Sequence, residues 1–178
     1  MPVNLPNIIT IGRLFLVPFV VAMITRENWQ LAFFAFVLAG VSDAVDGFIA
    51  RRFDMRSELG AYLDPLADKA LLVSIYITLA IVGVMPGWLA IVVVSRDIMI
   101  MGAVVLSWLL DNPVEINPSR LSKINTAAQI GLAGLVLGAH AFAIEDVVLR
   151  WELLVTVAAL TTASAAAYLG QWLRHMTS

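Results

Sequence analysis

Six long apolar runs, separated by short polar breaks, occupy most of this chain. They cover residues 8–24, 31–50, 61–82, 88–110, 124–143 and 147–169. A helix crosses the hydrocarbon core of a bilayer with about 20 apolar residues, so six such helices leave only short loops. The pattern predicts an all-α integral membrane protein with six transmembrane helices, entered through a short interfacial segment at residues 2–6.

The composition excludes several classes of protein. Hydrophobic residues make up 61% of the 178 residues and charged residues 13%, whereas about 25% of a soluble domain is charged. A formal net charge of −2 provides no positive field to attract nucleic acid. The chain has no Cys, which excludes disulfides, thiolate metal sites and a Cys nucleophile. Because the loops leave no room for an extramembrane domain, we expect residues 1–178 to form one transmembrane domain.

The distribution of basic residues predicts the orientation, because cytoplasmic loops carry more Lys and Arg. With six crossings, one side holds Arg51, Arg52, Arg56, Arg120, Lys123 and Arg174, and the other holds Arg26 and Arg150. Both termini and the loop at residues 51–58 are therefore expected to face the cytoplasm. The lack of an Arg- and Ser-rich leading segment favours a bacterial inner membrane.

Four aspartates interrupt the second and third apolar runs, where an unpaired carboxylate costs several kcal/mol. Asp43 and Asp46 are three residues apart, and Asp64 and Asp68 are four apart. On helices, both spacings place the two carboxylates of a pair on one face. Because the intervening loop is short, we expect the two helices to be antiparallel neighbours whose carboxylates face each other at similar depth.

Four converging carboxylates need a counter-charge, and Arg51 and Lys69 are too few to supply it. Two divalent cations, Mg²⁺ or Mn²⁺, suit such an all-oxygen site and can assist phosphoryl transfer. Gly47 and Gly60 lack side chains where a phosphate would approach. The alternative is a transporter-like cavity in which the aspartates pair with Arg or Lys. A transporter, however, usually shows a repeat in both halves, and the later runs have no matching acidic pair.

The spacing of the whole motif is more specific than its parts. The pattern Asp43-x₂-Asp46-Gly47-x₂-Ala50-Arg51-x₈-Gly60-x₃-Asp64-x₃-Asp68 resembles, without departure, the signature of the CDP-alcohol phosphatidyltransferases. The entry to the first run, Asn7-x₂-Thr10-x₂-Arg13, also resembles this family. The likeness covers nearly the whole chain and implies the family's helical bundle.

The resemblance implies a membrane enzyme that joins a CDP-linked lipid to an alcohol and releases CMP, with two divalent ions. It makes Asp43, Asp46, Asp64 and Asp68 metal ligands, and Asp68 also the general base. The positions that match the family's contacts to CDP-diacylglycerol are Asn7, Thr10, Gly47, Ala50, Arg51, Ser57 and Gly60.

The later runs bear on the acceptor. Ser95-Arg96-Asp97, the segment 122–129 and the segment 161–165 resemble the CMP-forming cardiolipin synthases, a branch of this family. This resemblance implies that the acceptor is phosphatidylglycerol and the product cardiolipin. The alternative is a phosphatidylglycerophosphate synthase using glycerol 3-phosphate, in which we expect Arg-Glu in the fourth run and a second Lys in place of Asn125.

Two basic residues are candidates for binding the acceptor phosphate, Arg96 and Lys123. Each has a structural alternative. Arg96 would pair with Asp97 or with an aspartate of the motif, and Lys123 would extend to the membrane interface.

Small residues recur at four-residue spacing in the last two runs. They are Gly134 and Gly138 in the fifth run and Ala159, Ala163 and Ala167 in the sixth. Such positions allow close approach of helices in lipid. We interpret them as packing positions within one bundle, with a homodimer as the alternative.

Overall fold

The computed structural model is all-helical in the residues that it describes, which are 5–52, 58–109, 120–144 and 151–176. Side chains are described for these residues except 5–10, 46–52, 58–68, 105 and 108. The six helices are α1 (Leu5–Thr25), α2 (Trp29–Arg52), α3 (Glu58–Ile81), α4 (Gly87–Leu109), α5 (Arg120–Ala141) and α6 (Trp151–Met176). Each predicted run therefore corresponds to one helix.

The helices extend beyond the apolar runs where polar residues continue the same backbone hydrogen bonding. Helix α5 begins at Arg120 rather than at residue 124, and α6 continues to Met176 rather than ending at residue 169. The predicted interfacial segment is already helical from Leu5 onward, and its earlier residues lie outside the described part of the chain. The apolar pattern located the helix centres, whereas polar end residues set the final bounds.

The break between α1 and α2 is made by three polar residues. Glu27 adopts a positive φ of 56°, and the Asn28 N–H donates to the Met23 carbonyl at 2.9 Å, which closes the end of α1. The side-chain oxygen of Asn28 then accepts from the Leu31 N–H at 3.3 Å, as an N-cap does. The same short break thus ends one helix and starts the next.

The bundle is assembled around one apolar core. Helix α1 packs against α2 and α3, α5 packs against α2, α3 and α6, and α4 packs against α3 and α6. The core takes fully or almost fully buried side chains from every helix, including Val20, Ala32, Ile75, Leu89, Leu137 and Leu154.

The exposed surface of the bundle is apolar, whereas several charged and polar groups lie inside. Phe15 is 73% exposed and Ile81 77%, while Arg13 is 1% exposed and Arg96 4%. A soluble protein would bury the large apolar side chains and expose the arginines. Lipid explains the arrangement, because it solvates apolar side chains and requires polar ones to be paired in the interior.

Two stretches among the described residues are long and apolar enough to cross a membrane, Gly87–Val104 and Trp151–Met176. Shorter apolar stretches lie in three other helices, at Ile11–Thr25, Trp29–Val45 and Lys69–Ile81. The structure thus supports a helical, membrane-type bundle.

The glycine pair of α5 lies against aromatic rings of α2. A Cβ built on Gly138 would be 3.2 Å from the Phe33 ring, and one on Gly134 would be 3.3 Å from the Phe36 ring. Since residue numbers rise along one helix as they fall along the other, α2 and α5 are antiparallel. This pair of glycines therefore serves packing within the bundle.

We expect Gly138→Leu to lower the stability of the bundle, because the new side chain has to displace Phe33. Overpacking of this kind costs about 1–3 kcal/mol. Gly131→Leu is the matched control on the same helix, since a Cβ at Gly131 meets nothing within 4 Å. The measurement is the thermal midpoint of each purified variant in detergent. Equal midpoints for the two variants would contradict the α2–α5 contact.

Candidate active site

The aspartates of the motif lie on α2 and α3 at the spacing that the sequence predicts. Asp43 and Asp46 fall on α2, and Asp64 and Asp68 fall on α3. Helical backbone at these positions puts the members of each pair on one face. Only the Asp43 side chain is among those described, so the convergence of the four carboxylates stays a prediction.

The Asp43 carboxylate is held by an arginine of α1. The distance from Arg13 Nη1 to Asp43 Oδ1 is 2.7 Å, with the Arg13 side chain 1% exposed and the Asp43 side chain 46% exposed. A buried guanidinium in an apolar bundle needs such an anion. Sequence analysis did not identify this pair, although an Arg inside an apolar run is itself a signal that a carboxylate lies nearby.

A second charged cluster joins α3 and α4. Asp97 Oδ1 accepts a hydrogen bond from Lys69 Nζ at 2.6 Å and another from Arg96 Nη1 at 2.7 Å. Arg96 Nη2 also donates to Ser122 Oγ at 2.6 Å and to Ser164 Oγ at 3.0 Å. These contacts connect four helices, and we call Lys69, Arg96 and Asp97 the charge node.

The contacts of the charge node bear on two expectations from the sequence. Arg96 does pair with Asp97, which was the structural alternative for this residue. Lys69 was counted as a counter-charge for the motif, whereas the structure pairs it with Asp97. Lys69 directly follows Asp68 on α3, so the charge node lies next to the last aspartate of the motif along this helix. The other acceptor candidate, Lys123, is exposed in the first turn of α5.

Uncharged polar side chains form a second hydrogen-bonded cluster inside the bundle. We call its members, Tyr76, Asn125, Gln129 and Thr161, the uncharged chain. Thr161 Oγ1 donates to Asn125 Oδ1 at 2.8 Å and accepts from Gln129 Nε2 at 3.1 Å. The Tyr76 hydroxyl donates to the Gln129 backbone carbonyl at 3.0 Å. Asn125, Gln129 and Thr161 are completely buried, so these bonds satisfy groups that water does not reach.

The two clusters fix the register of the helices. Lys69 and Tyr76 are seven residues apart on α3, and Ser122 and Gln129 are seven apart on α5. On each helix the lower-numbered residue lies at the charge node and the higher-numbered residue lies in the uncharged chain. Helices α3 and α5 therefore run in the same direction. Seven residues rise about 10 Å. Tyr76 and Gln129, in the uncharged chain, therefore lie about two turns further along α3 and α5 than Lys69 and Ser122.

The predicted contacts to CDP-diacylglycerol fall on residues whose side chains the structure does not describe. These are Asn7, Thr10, Gly47, Ala50, Arg51, Ser57 and Gly60. Their roles therefore stay predictions.

Asp43, the one aspartate of the motif with a described side chain, suits a divalent metal, whereas no cluster of three or more potential ligands lies among the described residues. The family resemblance implies such an ion, and Asp43 offers a hard oxygen ligand of the type that Mg²⁺ and Mn²⁺ prefer. Its Oδ1 is oriented by Arg13, and a carboxylate has a second oxygen for ligation. Support of this kind from a neighbouring group is common around metal-ligating carboxylates.

The comparison with known families agrees with the motif. The family model described as CDP-alcohol phosphatidyltransferase matches residues 3–163. The chain belongs to this family. The match includes both helices of the motif and the charge node.

Individual relatives cover most of the chain. The human and rat proteins named cardiolipin synthase (CMP-forming) are each 35% identical over 94% of this chain, which corresponds to 61% of the relative. The Bacillus subtilis CDP-diacylglycerol–glycerol-3-phosphate 3-phosphatidyltransferase is 35% identical over 71% of this chain and 72% of the relative. This chain spans about three fifths of the length of the human and rat relatives.

We expect Thr161→Val to destabilise the protein, because it leaves the Asn125 and Gln129 amides without their shared hydroxyl. A buried polar group left unpaired costs about 1–3 kcal/mol. Thr162→Val is the matched control, because the Thr162 hydroxyl is exposed and bonds only within α6, to the Ala158 carbonyl at 2.8 Å. A thermal midpoint that falls for Thr161→Val and not for Thr162→Val is the expected result. Unchanged midpoints for both would contradict the uncharged chain.

Proposed function

We propose that this protein transfers the phosphatidyl group of CDP-diacylglycerol to a hydroxyl of phosphatidylglycerol, giving cardiolipin and CMP. Residues 1–178 form the transferase as a single domain of six transmembrane helices. The observation that carries the reaction class is the complete eight-residue motif in a chain of the CDP-alcohol phosphatidyltransferase family.

The reaction needs one proton acceptor and stabilisation of charge on a diphosphate. The acceptor oxygen forms a new bond to the phosphorus that bears diacylglycerol, and the P–O bond of the pyrophosphate link breaks. The bridging oxygen leaves with CMP. Asp68 takes the hydroxyl proton, as a positioned carboxylate can.

Negative charge on the donor is neutralised by metal and by protein groups. Asp43, Asp46, Asp64 and Asp68 would hold two divalent ions, Mg²⁺ or Mn²⁺, which would supply positive charge to stabilise the diphosphate and the departing CMP. The nucleotide and diphosphate are bound by Asn7, Thr10, Gly47, Ala50, Arg51, Ser57 and Gly60. Arg13 orients Asp43 for ligation.

The proposed acceptor is chosen by charge rather than by percentage sequence identity, since relatives named cardiolipin synthase (CMP-forming) and relatives named glycerol-3-phosphate 3-phosphatidyltransferase are alike 34–35% identical to this chain. Asn125 is uncharged, completely buried and hydrogen-bonded to Thr161. It lies one turn from Ser122, a partner of Arg96. With Arg96 and Lys123 as the acceptor contacts, this neutral amide favours phosphatidylglycerol, a singly charged diester, over the more highly charged glycerol 3-phosphate.

The loops rich in Lys and Arg favour a multi-pass protein whose active site faces the cytoplasm, in a bacterial inner membrane. Ala159 and Ala163 are exposed on α6. Self-association of two copies through this exposed helix face is the alternative role of these small residues.

The first experiment is an acceptor competition. Purified protein in detergent with Mg²⁺ or Mn²⁺ receives CDP-diacylglycerol with phosphatidylglycerol or glycerol 3-phosphate, and the lipids are identified by mass spectrometry. We expect cardiolipin from phosphatidylglycerol, no product after chelation with EDTA, and recovery on adding the divalent ion back. Phosphatidylglycerophosphate from glycerol 3-phosphate alone would replace the acceptor and keep the reaction class.

We expect Asp68→Asn to abolish transfer, by at least about a hundredfold for a lost general base, while the protein still folds and inserts into the membrane. Glu152→Gln is the matched control, because this carboxylate is exposed in the first turn of α6. CMP release reports activity, and gel filtration in detergent reports folding. An active Asp68→Asn enzyme would overturn the role of this base.

A further inference from the structure

Asp97 is shared between two cations, and this arrangement has a consequence for the acceptor. Its Oδ1 accepts a hydrogen bond from Lys69 Nζ at 2.6 Å and another from Arg96 Nη1 at 2.7 Å. The Asp97 and Arg96 side chains are 4% and 3% exposed. Two cations and one carboxylate give the charge node a net formal charge of +1. Solvent screens such buried charges only weakly, so an anion nearby responds to this net charge.

The position of the charge node connects it to the proposed chemistry. Lys69 follows the proposed base Asp68 along α3, while Arg96 is fixed through Ser122 on α5 and Ser164 on α6. An anionic acceptor whose hydroxyl reaches Asp68 therefore has its phosphate within the electrostatic range of the charge node.

We propose that Asp97 sets the net charge of the acceptor end of the active site and thereby selects an acceptor with a single negative charge. The preferred substrate class is a phosphodiester that carries a free hydroxyl. A phosphate monoester, with about 1.5 to 2 negative charges at pH 7, is disfavoured. Because this selection rests on the proposed transferase activity, it is tested on the ratio of two acceptors rather than on activity alone.

Asp97→Asn changes the net charge of the charge node while keeping the hydrogen bonds that the structure shows. The amide oxygen of Asn can still accept from Lys69 and Arg96. The other carboxylate oxygen, Oδ2, has no hydrogen-bond partner among the described residues, so replacing it by NH₂ breaks no bond that the structure shows. The substitution raises the net charge of the charge node from +1 to +2 and leaves its size nearly unchanged.

The experiment is a charge series measured with both acceptors. For each variant, kcat/KM is determined with phosphatidylglycerol and with glycerol 3-phosphate at fixed CDP-diacylglycerol and metal. Asp97→Asn is expected to shift the ratio about tenfold toward glycerol 3-phosphate, because one added charge acts more strongly on the dianion. Lys69→Met lowers the net charge to zero and is expected to shift the ratio the other way.

Two further variants separate charge from structure. Combining Asp97→Asn with Lys69→Met restores a net charge of +1, and the ratio should return toward the wild-type value although both contacts have changed. Tyr76→Phe is the matched control, since it removes a buried hydrogen bond to Gln129 without altering charge. Its ratio should equal that of the wild type.

The measurements distinguish a failure of the selection by charge from a failure of the proposed transferase. A ratio unchanged by both Asp97→Asn and Lys69→Met overturns the selection by charge, as does equal loss with both acceptors that the double variant does not reverse. If Asp97→Asn does not fold, Lys69→Met and the double variant still decide, because they predict different ratios. A wild type that uses neither acceptor contradicts the proposed transferase instead.

Discussion

A charge inside an apolar helical bundle is tolerated only when it is paired, and the pairing of Arg96 is the interaction on which the interior depends. Its guanidinium bonds to Asp97 on its own helix and to hydroxyls on α5 and α6, while Asp97 bonds to Lys69 on α3. Arg suits this position because it has five donors in a rigid plane. One residue thus holds four helices in register beside the motif.

One aspartate of the motif is held in a similar way by a different arginine. Arg13 on α1 bonds to Asp43 on α2, and α1 also packs against α3. Arg13 and Arg96, both buried, thus each pair with a carboxylate, Arg13 with an aspartate of the motif and Arg96 with Asp97 outside it. Such pairing explains why two arginines lie within apolar runs, where an unpaired one would be costly.

Sequence patterns predicted much of this arrangement, and their omissions have a physical cause. Apolar runs of about 20 residues, separated by polar breaks, located the six described helices, and the i,i+3 and i,i+4 spacing placed each pair of aspartates on one helix face. Such runs do not say which helix faces which, so the bond between Lys69 and Asp97 was not foreseen, nor was that between Arg13 and Asp43. Which charged residues pair depends on how far their side chains extend between helices that are distant in sequence. Lys69 and Asp97, for example, are 28 residues apart in the chain.

The polar groups along the bundle differ in charge, and this difference bears on where an anion is stabilised. Lys69, Arg96 and Asp97 lie near the middle of α3 and α4, whereas about two turns further along α3 the polar groups are a hydroxyl and its amide partners, as at Tyr76, Gln129 and Thr161. Further along still, Leu79 is aliphatic and buried. An anion within an apolar bundle needs a cation as its partner, and of these levels among the described residues the charge node is the one that offers cations. The phosphate of the proposed acceptor is therefore expected at the charge node, beside the helix turn that carries Asp68, while the uncharged residues hold the helices together.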